Sequence, residues 1–295
     1  MELAVKEHKL KLMCDRYVRY LFIACAFLMT VIILSIIIFI GQQGLLTFTQ
    51  VSPSEFFFSS KWDPSSQHYG ALSFIAGSVY VTILAVLLGA PLGLAGAVFM
   101  AKVAPSWLRD IMRPATDLYV AIPSIVYGFV GLTILVPFIR VHFHVNTGFG
   151  LLAAAMILAI MILPTIISIS EDAIRAVPRA LEEASLALGA TRWQTIWRVL
   201  LPAALPGILT SVILAMARAV GETMAVQMVI GNTPQFPKSL FIPTSTLPSE
   251  IVVEMGNTPF GSAWGNSLFL MALVLLLMSM VMILIIRRIA QRRLA

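Results

Sequence analysis

The sequence predicts an all-α integral membrane protein with six transmembrane helices. Hydrophobic residues make up 59% of the 295 residues and charged residues only 12%, whereas a soluble domain carries roughly 25% charged residues. Several apolar stretches exceed the length of about 20 residues that a helix needs to cross a bilayer. Lysine and arginine are concentrated in alternate connections between these stretches, as expected for loops on one side of a membrane.

The apolar stretches divide the chain into tails, spans and loops. In chain order we predict a cytoplasmic tail at 1–20, a first span at 21–40, an outer interfacial loop at 41–70, a five-helix core at 71–286 and a basic cytoplasmic tail at 287–295. The core spans are expected at 71–101, 115–137, 149–168, 201–230 and 267–286. The first stretch is longer than the core of a cleaved signal peptide and has no small-residue cleavage site, so we interpret it as a retained anchor.

The distribution of basic residues predicts which side each loop faces. Six spans put both termini on one side, together with the loops at 102–114 and 169–200. Sixteen lysine and arginine residues fall on that side and three on the other. The positive-inside rule therefore predicts cytoplasmic termini. The net charge of +6 is explained by this topology, and we predict no nucleic-acid partner.

Glycine and proline interrupt spans two to five. The residues concerned are Gly89, Pro91, Gly93, Gly96, Pro123, Gly128, Gly131, Pro164, Pro206 and Gly207. Both residue types are frequent in membrane helices, and closely spaced glycines commonly form packing faces. The functional alternative is a bundle whose kinked helices line a pathway. The sequence leaves both interpretations open, and it also leaves open whether the outer loop at 231–265 packs as a plug or contacts an external partner.

The cytoplasmic loop at 169–200 is charged between two apolar spans, and its sequence predicts two short helices. Gly189 can end the first helix in a left-handed conformation. Thr191 and Gln194 form a T-x-x-Q capping box for the second. The alternative to a functional loop is an amphipathic helix that lies on the membrane surface.

The stretch EASLALGATRWQTIWRVLLP resembles the EAA signature of ABC importer permeases. On this resemblance we assign ATPase coupling to Glu183, Ala184, Gly189, Leu201 and Pro202 of this stretch, and to Glu182 directly before it. Ser185 and Val199 are mild departures from the signature. The resemblance implies the type I ABC importer permease architecture. It also implies that this loop docks into a groove of a cytosolic ATPase subunit.

One basic and one acidic residue are predicted inside the fifth span. Arg218 and Glu222 are four residues apart, which brings two side chains together on one helical face. A charge near the bilayer centre costs about 2.5–3.5 kcal/mol on insertion scales. The pair is either a self-neutralising structural pair or part of a path. In a path, the planar guanidinium suits a tetrahedral oxyanion, and the carboxylate accepts a hydrogen bond from a protonated one.

The segment GETMAVQMVIGN, which contains Glu222, is similar to the fifth helix of PstC-type permease subunits of bacterial phosphate ABC importers. The stretches YGALSFIAGSVYVTILAVLLGAPLGLAGAVF and YVAIPSIVYGF extend the resemblance to about residues 60–290. It implies phosphate passage at Arg218 and Glu222. It further implies a PstA-like permease partner, two ATPase subunits that bind ATP and Mg, an external phosphate-binding protein, and a bacterial or archaeal cytoplasmic membrane.

Motifs of other function classes are missing from the sequence. The chain has no G-x-x-x-x-G-K-[ST] phosphate loop, no metal-ligand cluster and no recognisable nucleophile–base pair. We therefore expect a non-catalytic subunit without a cofactor of its own. Alternatives are a permease for molybdate, tungstate or sulfate, an ion-coupled carrier or channel, and a membrane-embedded enzyme.

Overall fold

The computed structural model describes the backbone of residues 2–292 and the side chains of residues 17–288. Within this range six helices are long and apolar enough to cross a membrane. They are Tyr17–Thr49, Leu72–Val103, Ser124–His142, Leu151–Arg175, Arg192–Gly221 and Ala263–Arg288. The prediction of a helical membrane fold with six spans is confirmed. Residues 1 and 293–295 of the predicted tails lie outside the described residues, and the side on which the termini lie stays a prediction.

Thirteen α-helices and one two-stranded antiparallel hairpin form the described part of the chain. The first group is α1 (Glu2–Leu45), α2 (Pro53–Phe58), β1 (Trp62–Asp63), β2 (His68–Tyr69), α3 (Leu72–Val98), α4 (Ser106–Ala121), α5 (Ser124–Val130) and α6 (Val136–His142). The second group is α7 (Leu151–Arg175), α8 (Arg179–Ala187), α9 (Arg192–Thr195), α10 (Leu201–Gly221), α11 (Met224–Ile230), α12 (Leu247–Met255) and α13 (Ala263–Arg292). Single π-helical turns at Phe99–Val103, Gly131–Leu135 and Ile196–Leu200 extend or join several of them.

The central helix of the bundle is α7, which packs against α3 and α10. Glycines of α3 allow the close approach: a Cβ on Gly89 would lie 2.9 Å from Ile162 Cδ1, and one on Gly93 would lie 2.7 Å from Ile166 Cγ2. Both isoleucines are almost fully buried. For these two glycines the packing interpretation is therefore the one that the structure supports.

The helix α1 lies at the edge of the bundle and packs on α13. A Cβ on Gly44 would lie 2.9 Å from backbone atoms of Leu270, and Phe39 contacts Phe269 edge to face. Most other side chains of the first span are exposed apolar groups, which suits contact with lipid. The helix is continuous from Glu2 to Leu45. The predicted boundary between a tail at 1–20 and a span at 21–40 is therefore not a break in the helix.

Two predicted spans and one predicted loop differ from the structure. The third span begins at Ser124, not at residue 115, because Ile122 and Pro123 are extended, with ψ of 128° and 137°; a residue before proline is disfavoured in the α region. The fifth span is not one helix over 201–230, since it runs from Arg192 to Gly221 and breaks there. The loop at 169–200, which the sequence predicts to be cytoplasmic, is mostly helical, and its first residues continue α7.

The segments between α1 and α3 and between α11 and α13 fold together into a compact unit, here termed the outer cap. Its buried hydrophobic residues, shared with the ends of α3 and α13, are Val51, Phe56, Trp62, Tyr69, Ala71, Phe74, Leu247, Leu268, Leu270 and Met271. The Trp62 indole donates to both Glu254 carboxylate oxygens at 3.0 and 3.1 Å, and the Trp264 indole donates to Oε2 at 2.6 Å. The buried part of 231–265 therefore packs within the chain. Contact of its exposed part with an external partner stays a prediction.

One carboxyl group of the outer cap is buried. Glu250 is 3% exposed, and its Oε2 accepts a hydrogen bond from Ser245 Oγ at 2.6 Å. The pKa of Glu250 is raised to about 7, mainly by burial; the Ser245 hydrogen bond opposes the shift, and the nearby Glu254 adds to it. Glu250 is therefore largely protonated below neutral pH.

The raised pKa makes the stability of the outer cap dependent on pH. The folded state retains a proton that the unfolded chain loses, so stability falls as the pH rises from about 4.5 to about 7. We expect the midpoint of thermal unfolding, followed by tryptophan fluorescence in detergent, to be lower at pH 8 than at pH 5.5. Glu250→Gln should remove most of this difference, and Asp110→Asn, which changes an exposed carboxylate of α4, should leave it. An unchanged pH profile in Glu250→Gln would contradict the assignment.

Candidate functional site

Two interrupted spans meet in the interior of the bundle. The third span follows a break at Ile122 and Pro123, and the fifth breaks at Glu222, which is extended with φ −71° and ψ 126°. The helices that follow the two breaks, α5 and α11, pack against each other. A Cβ on Gly128 would lie 2.9 Å from Met228 Sδ and 3.0 Å from Ala225 Cα. Glycine at this crossing therefore brings the two breaks to neighbouring positions.

Arg218 lies in the last turn of α10, immediately before the break in the fifth span. It is half-buried. The next residue, Ala219, lies in the same buried cluster as Tyr127, a residue of α5 with a ring hydroxyl. That hydroxyl donates a 2.7 Å hydrogen bond to the Tyr119 carbonyl at the end of α4, and the two tyrosine rings are 5.2 Å apart. The arginine that the sequence singled out thus directly precedes the break in the fifth span, and the residue after it packs in the cluster that borders the break in the third span.

The predicted pairing of Arg218 with Glu222 is wrong. The two residues do not share a helical face, because α10 ends at Gly221, and no ion pair joins them among the described side chains. Glu222 Oε1 instead accepts a 3.4 Å hydrogen bond from the Ala225 amide at the start of α11. The interpretation as a self-neutralising structural pair therefore has no geometric support, and the guanidinium is not occupied by this carboxylate.

The loop at 169–200 has the local structure that the sequence predicts. Gly189 has φ +85°, and a left-handed residue there ends the helical segment that begins with α8. Thr191 and Gln194 form the predicted capping box, with hydrogen bonds of 2.9 and 3.3 Å between each side chain and the other residue's backbone. One feature differs: the second helix continues through the π turn at Ile196–Leu200 into the fifth span.

The six residues assigned to ATPase coupling fall into different environments. Glu183, Ala184, Gly189 and Pro202 are exposed. Leu201 is only 8% exposed and packs with buried residues of α3, α7 and α10, so it holds the loop to the bundle and offers no free docking surface. Glu182 Oε2 accepts a 2.5 Å ion-pair hydrogen bond from Lys102 Nζ. The exposed apolar surface of the loop comes from Leu181, Leu186 and Leu188, the last of which is 89% exposed.

Sequence reasoning gave no role to Tyr119 and Tyr127 at this site, and it left the role of Gly128 open. Tyr119 and Tyr127 frame the break in the third span, and Gly128 permits the crossing with α11. The signal was available in the stretch YVAIPSIVYGF, because proline after isoleucine disfavours a continuous helix. Hydropathy continues through the proline, so the sequence alone predicts a kink inside one continuous span.

The sequence matches the family model "Binding-protein-dependent transport system inner membrane component" over residues 89–295. Probable ABC transporter permease protein YqgH of Bacillus subtilis is 52% identical, with 93% of this chain and 90% of that protein covered. Phosphate transport system permease protein PstC of Mesorhizobium japonicum is 37% identical, with 91% and 88% covered. PstC of Xylella fastidiosa is 33% identical, with 84% and 80% covered.

Solved structures of related fold include two ABC importers. An inward-facing form of the MetNI methionine ABC transporter aligns with a TM-score of 0.61 and 22% identity, covering 79% of this chain and 99% of that one. A bacterial ABC transporter involved in the import of the acidic polysaccharide alginate aligns with a TM-score of 0.61 and 16% identity, covering 86% and 88%. These likenesses establish the fold as that of ABC importer permeases.

Proposed function

Because the chain belongs to the family of binding-protein-dependent transport system inner membrane components, we propose that it is a permease subunit of an ATP-driven importer of inorganic phosphate. It provides half of the translocation pathway and couples to a separate ATPase. The observation that carries the proposal is the position of Arg218 at the break in the fifth span, where the following helix α11 packs against α5 of the interrupted third span. Relatives named phosphate transport system permease proteins, at 31–37% identity, support phosphate as the substrate.

The chemistry of the break suits a partly protonated tetrahedral anion. A guanidinium presents a planar fork of N–H donors that binds two oxygens of such an anion. Glu222 does not neutralise Arg218, so the arginine remains available to the substrate. A carboxylate at this place accepts a hydrogen bond from a phosphate hydroxyl, which fully ionised sulfate does not have. The two residues therefore favour phosphate over sulfate.

Energy comes from partner subunits in this proposal. Two ATPase subunits bind ATP and Mg and dock on the cytoplasmic loop, where Glu183, Ala184 and Leu188 are exposed. A PstA-like permease completes the pathway, and an external phosphate-binding protein delivers the substrate. The chain itself is a non-catalytic, multi-pass subunit of a bacterial or archaeal cytoplasmic membrane, and it contributes no cofactor.

Transport of another oxyanion is the second candidate, since an arginine fork also fits sulfate, molybdate or tungstate. An ion-coupled carrier is a third, and it predicts uptake without any ATPase. One transport assay distinguishes these two candidates from the phosphate importer. Proteoliposomes should contain the complete complex, with binding protein outside and ATP inside.

We expect labelled phosphate to accumulate only with ATP and the ATPase subunits. An excess of unlabelled phosphate should compete, whereas equal excesses of sulfate and molybdate should not. If sulfate or molybdate competes more strongly than phosphate, that anion and not phosphate is the substrate. Accumulation without the ATPase would reject the importer mechanism.

A further inference from the structure

Two polar contacts fasten α8, the exposed helix of the cytoplasmic loop, to the second and fifth spans. Lys102 Nζ donates to Glu182 Oε2 at 2.5 Å, and the hydroxyls of Ser185 and Thr195 are 2.9 Å apart. Glu182 and Ser185 are three residues apart, so they lie on the same face of α8. That face therefore holds one contact to each of two spans.

Both contacts lie at π-helical turns. Lys102 belongs to the π turn Phe99–Val103 at the end of the second span, and Thr195 directly precedes the π turn Ile196–Leu200 at the start of the fifth. Such turns are rare and occur frequently at functional sites. The two contacts thus attach α8 to the part of each span where the helical winding is altered.

Arg109 of α4 anchors the first of these turns. Its Nε donates to the Met100 carbonyl at 2.9 Å and its Nη2 donates to the Ala104 carbonyl at 3.3 Å. These bonds use the carbonyl groups that a helix end leaves without partners. Lys102 therefore projects from a fixed turn, and its side chain is only 20% exposed.

Glu182 and Glu183 are neighbours in sequence with different surroundings. Glu183 is exposed and makes no ion pair among the described side chains, whereas Glu182 is engaged by Lys102. Both border a cleft of 460 Å³ between α8 and the cytoplasmic ends of the second and fourth spans. The cleft leaves open volume beside α8, so the ion pair is a direct link between two elements that are not otherwise tightly packed there.

We propose that Lys102 is a positioning residue that transmits displacement of α8 to the second span through Glu182, while Ser185 and Thr195 make the parallel link to the fifth. The fifth span carries Arg218, so the links join the ATPase-facing helix to both sides of the bundle. This inference rests on the proposed function, because it assumes that an ATPase moves α8. It assigns Glu182 to a contact within the chain and leaves Glu183 for the ATPase.

Charge reversal tests the inference in the complete complex reconstituted in proteoliposomes with inorganic phosphate. Lys102→Glu and Glu182→Lys should each lower the phosphate moved per ATP hydrolysed by about fivefold or more, and the double reversal should restore most of it, as expected for residues in direct contact. Arg113→Glu is the matched control, since Arg113 forms a 2.8 Å ion pair with Asp172 that does not involve α8. It should leave the ratio unchanged.

The outcomes separate transmission from plain stabilisation. A merely stabilising ion pair would change the amount of assembled complex and leave phosphate per ATP unaltered, which would overturn the inference; so would a double variant no better than the single ones. If charge reversal prevents assembly, Lys102→Met and Lys102→Arg test the inference instead. Arginine retains the ion pair, so Lys102→Arg should keep the wild-type ratio of phosphate to ATP. Lys102→Met should lower that ratio. If wild-type complex moves another oxyanion, the same ratio measured with that anion tests the link while the phosphate proposal alone fails.

Discussion

Replacing Arg218 with glutamine is expected to slow phosphate uptake by about tenfold or more in a complex that still assembles. The substitution removes a charged donor directly before the break in the fifth span. Hydrogen bonds to a charged group contribute about 1.5–3 kcal/mol, so their loss should slow uptake roughly tenfold to a hundredfold. Arg218→Lys should recover little, because an ammonium is a point charge without the fork geometry.

Glu222→Gln provides the comparison for this prediction. Arg218 forms no ion pair with Glu222, so neutralising Glu222 should not strand a buried charge. The complex should assemble in normal amounts and show altered transport or basal ATPase activity. The measurements are gel filtration of the detergent-extracted complex, followed by uptake into vesicles. Wild-type uptake by assembled Arg218→Gln complex would rule out a substrate role for Arg218.

Gly189→Val should weaken the binding of the ATPase to the permease. Gly189 has φ +85°, and a left-handed conformation costs an L-residue roughly 1–2 kcal/mol, with β-branched side chains the least tolerant. A Cβ on Gly189 would have nothing within 4 Å, so the effect comes from the backbone and not from a steric clash. We expect an inserted protein that retains less ATPase on purification and transports correspondingly less.

A second glycine supplies the matched control. Gly256 also has no atom within 4 Å of a built Cβ, but its φ is −69°, a value that valine adopts freely. Gly256→Val should therefore behave as wild type, and Gly189→Asn should be milder than Gly189→Val because asparagine tolerates the left-handed region. Normal ATPase association and transport in Gly189→Val would mean that the loop is only a surface helix.

Features encoded within a few residues were predictable from the sequence. The capping box at Thr191 and Gln194 and the left-handed Gly189 depend on local geometry, and both are present. The apolar length of each span likewise depends only on neighbouring residues, so the number of spans was predictable.

Features that depend on packing between distant segments were not predictable. The rule that placed Arg218 beside Glu222 assumes an unbroken helix, but α11 packs against α5 and α7, and the chain becomes extended at Glu222. In the outer cap, Trp62 contacts Glu254 across 192 positions of sequence. The hydrophobic periodicity of a single helix or strand cannot predict such a contact. The same holds for the ion pair between Lys102 and Glu182.

The most direct test of the central claim asks whether the break in the fifth span faces a phosphate path. Thr223→Cys places a thiol at the break, and Leu214→Cys places one on an exposed apolar position of α10; both start from a complex with Cys14 and Cys25 replaced by serine. During ATP turnover, a membrane-impermeant anionic thiol reagent should label Thr223→Cys, phosphate should slow that labelling, and Leu214→Cys should stay unlabelled. Absence of labelling at Thr223→Cys, or labelling that phosphate does not slow, would contradict the assignment of this break to the translocation pathway.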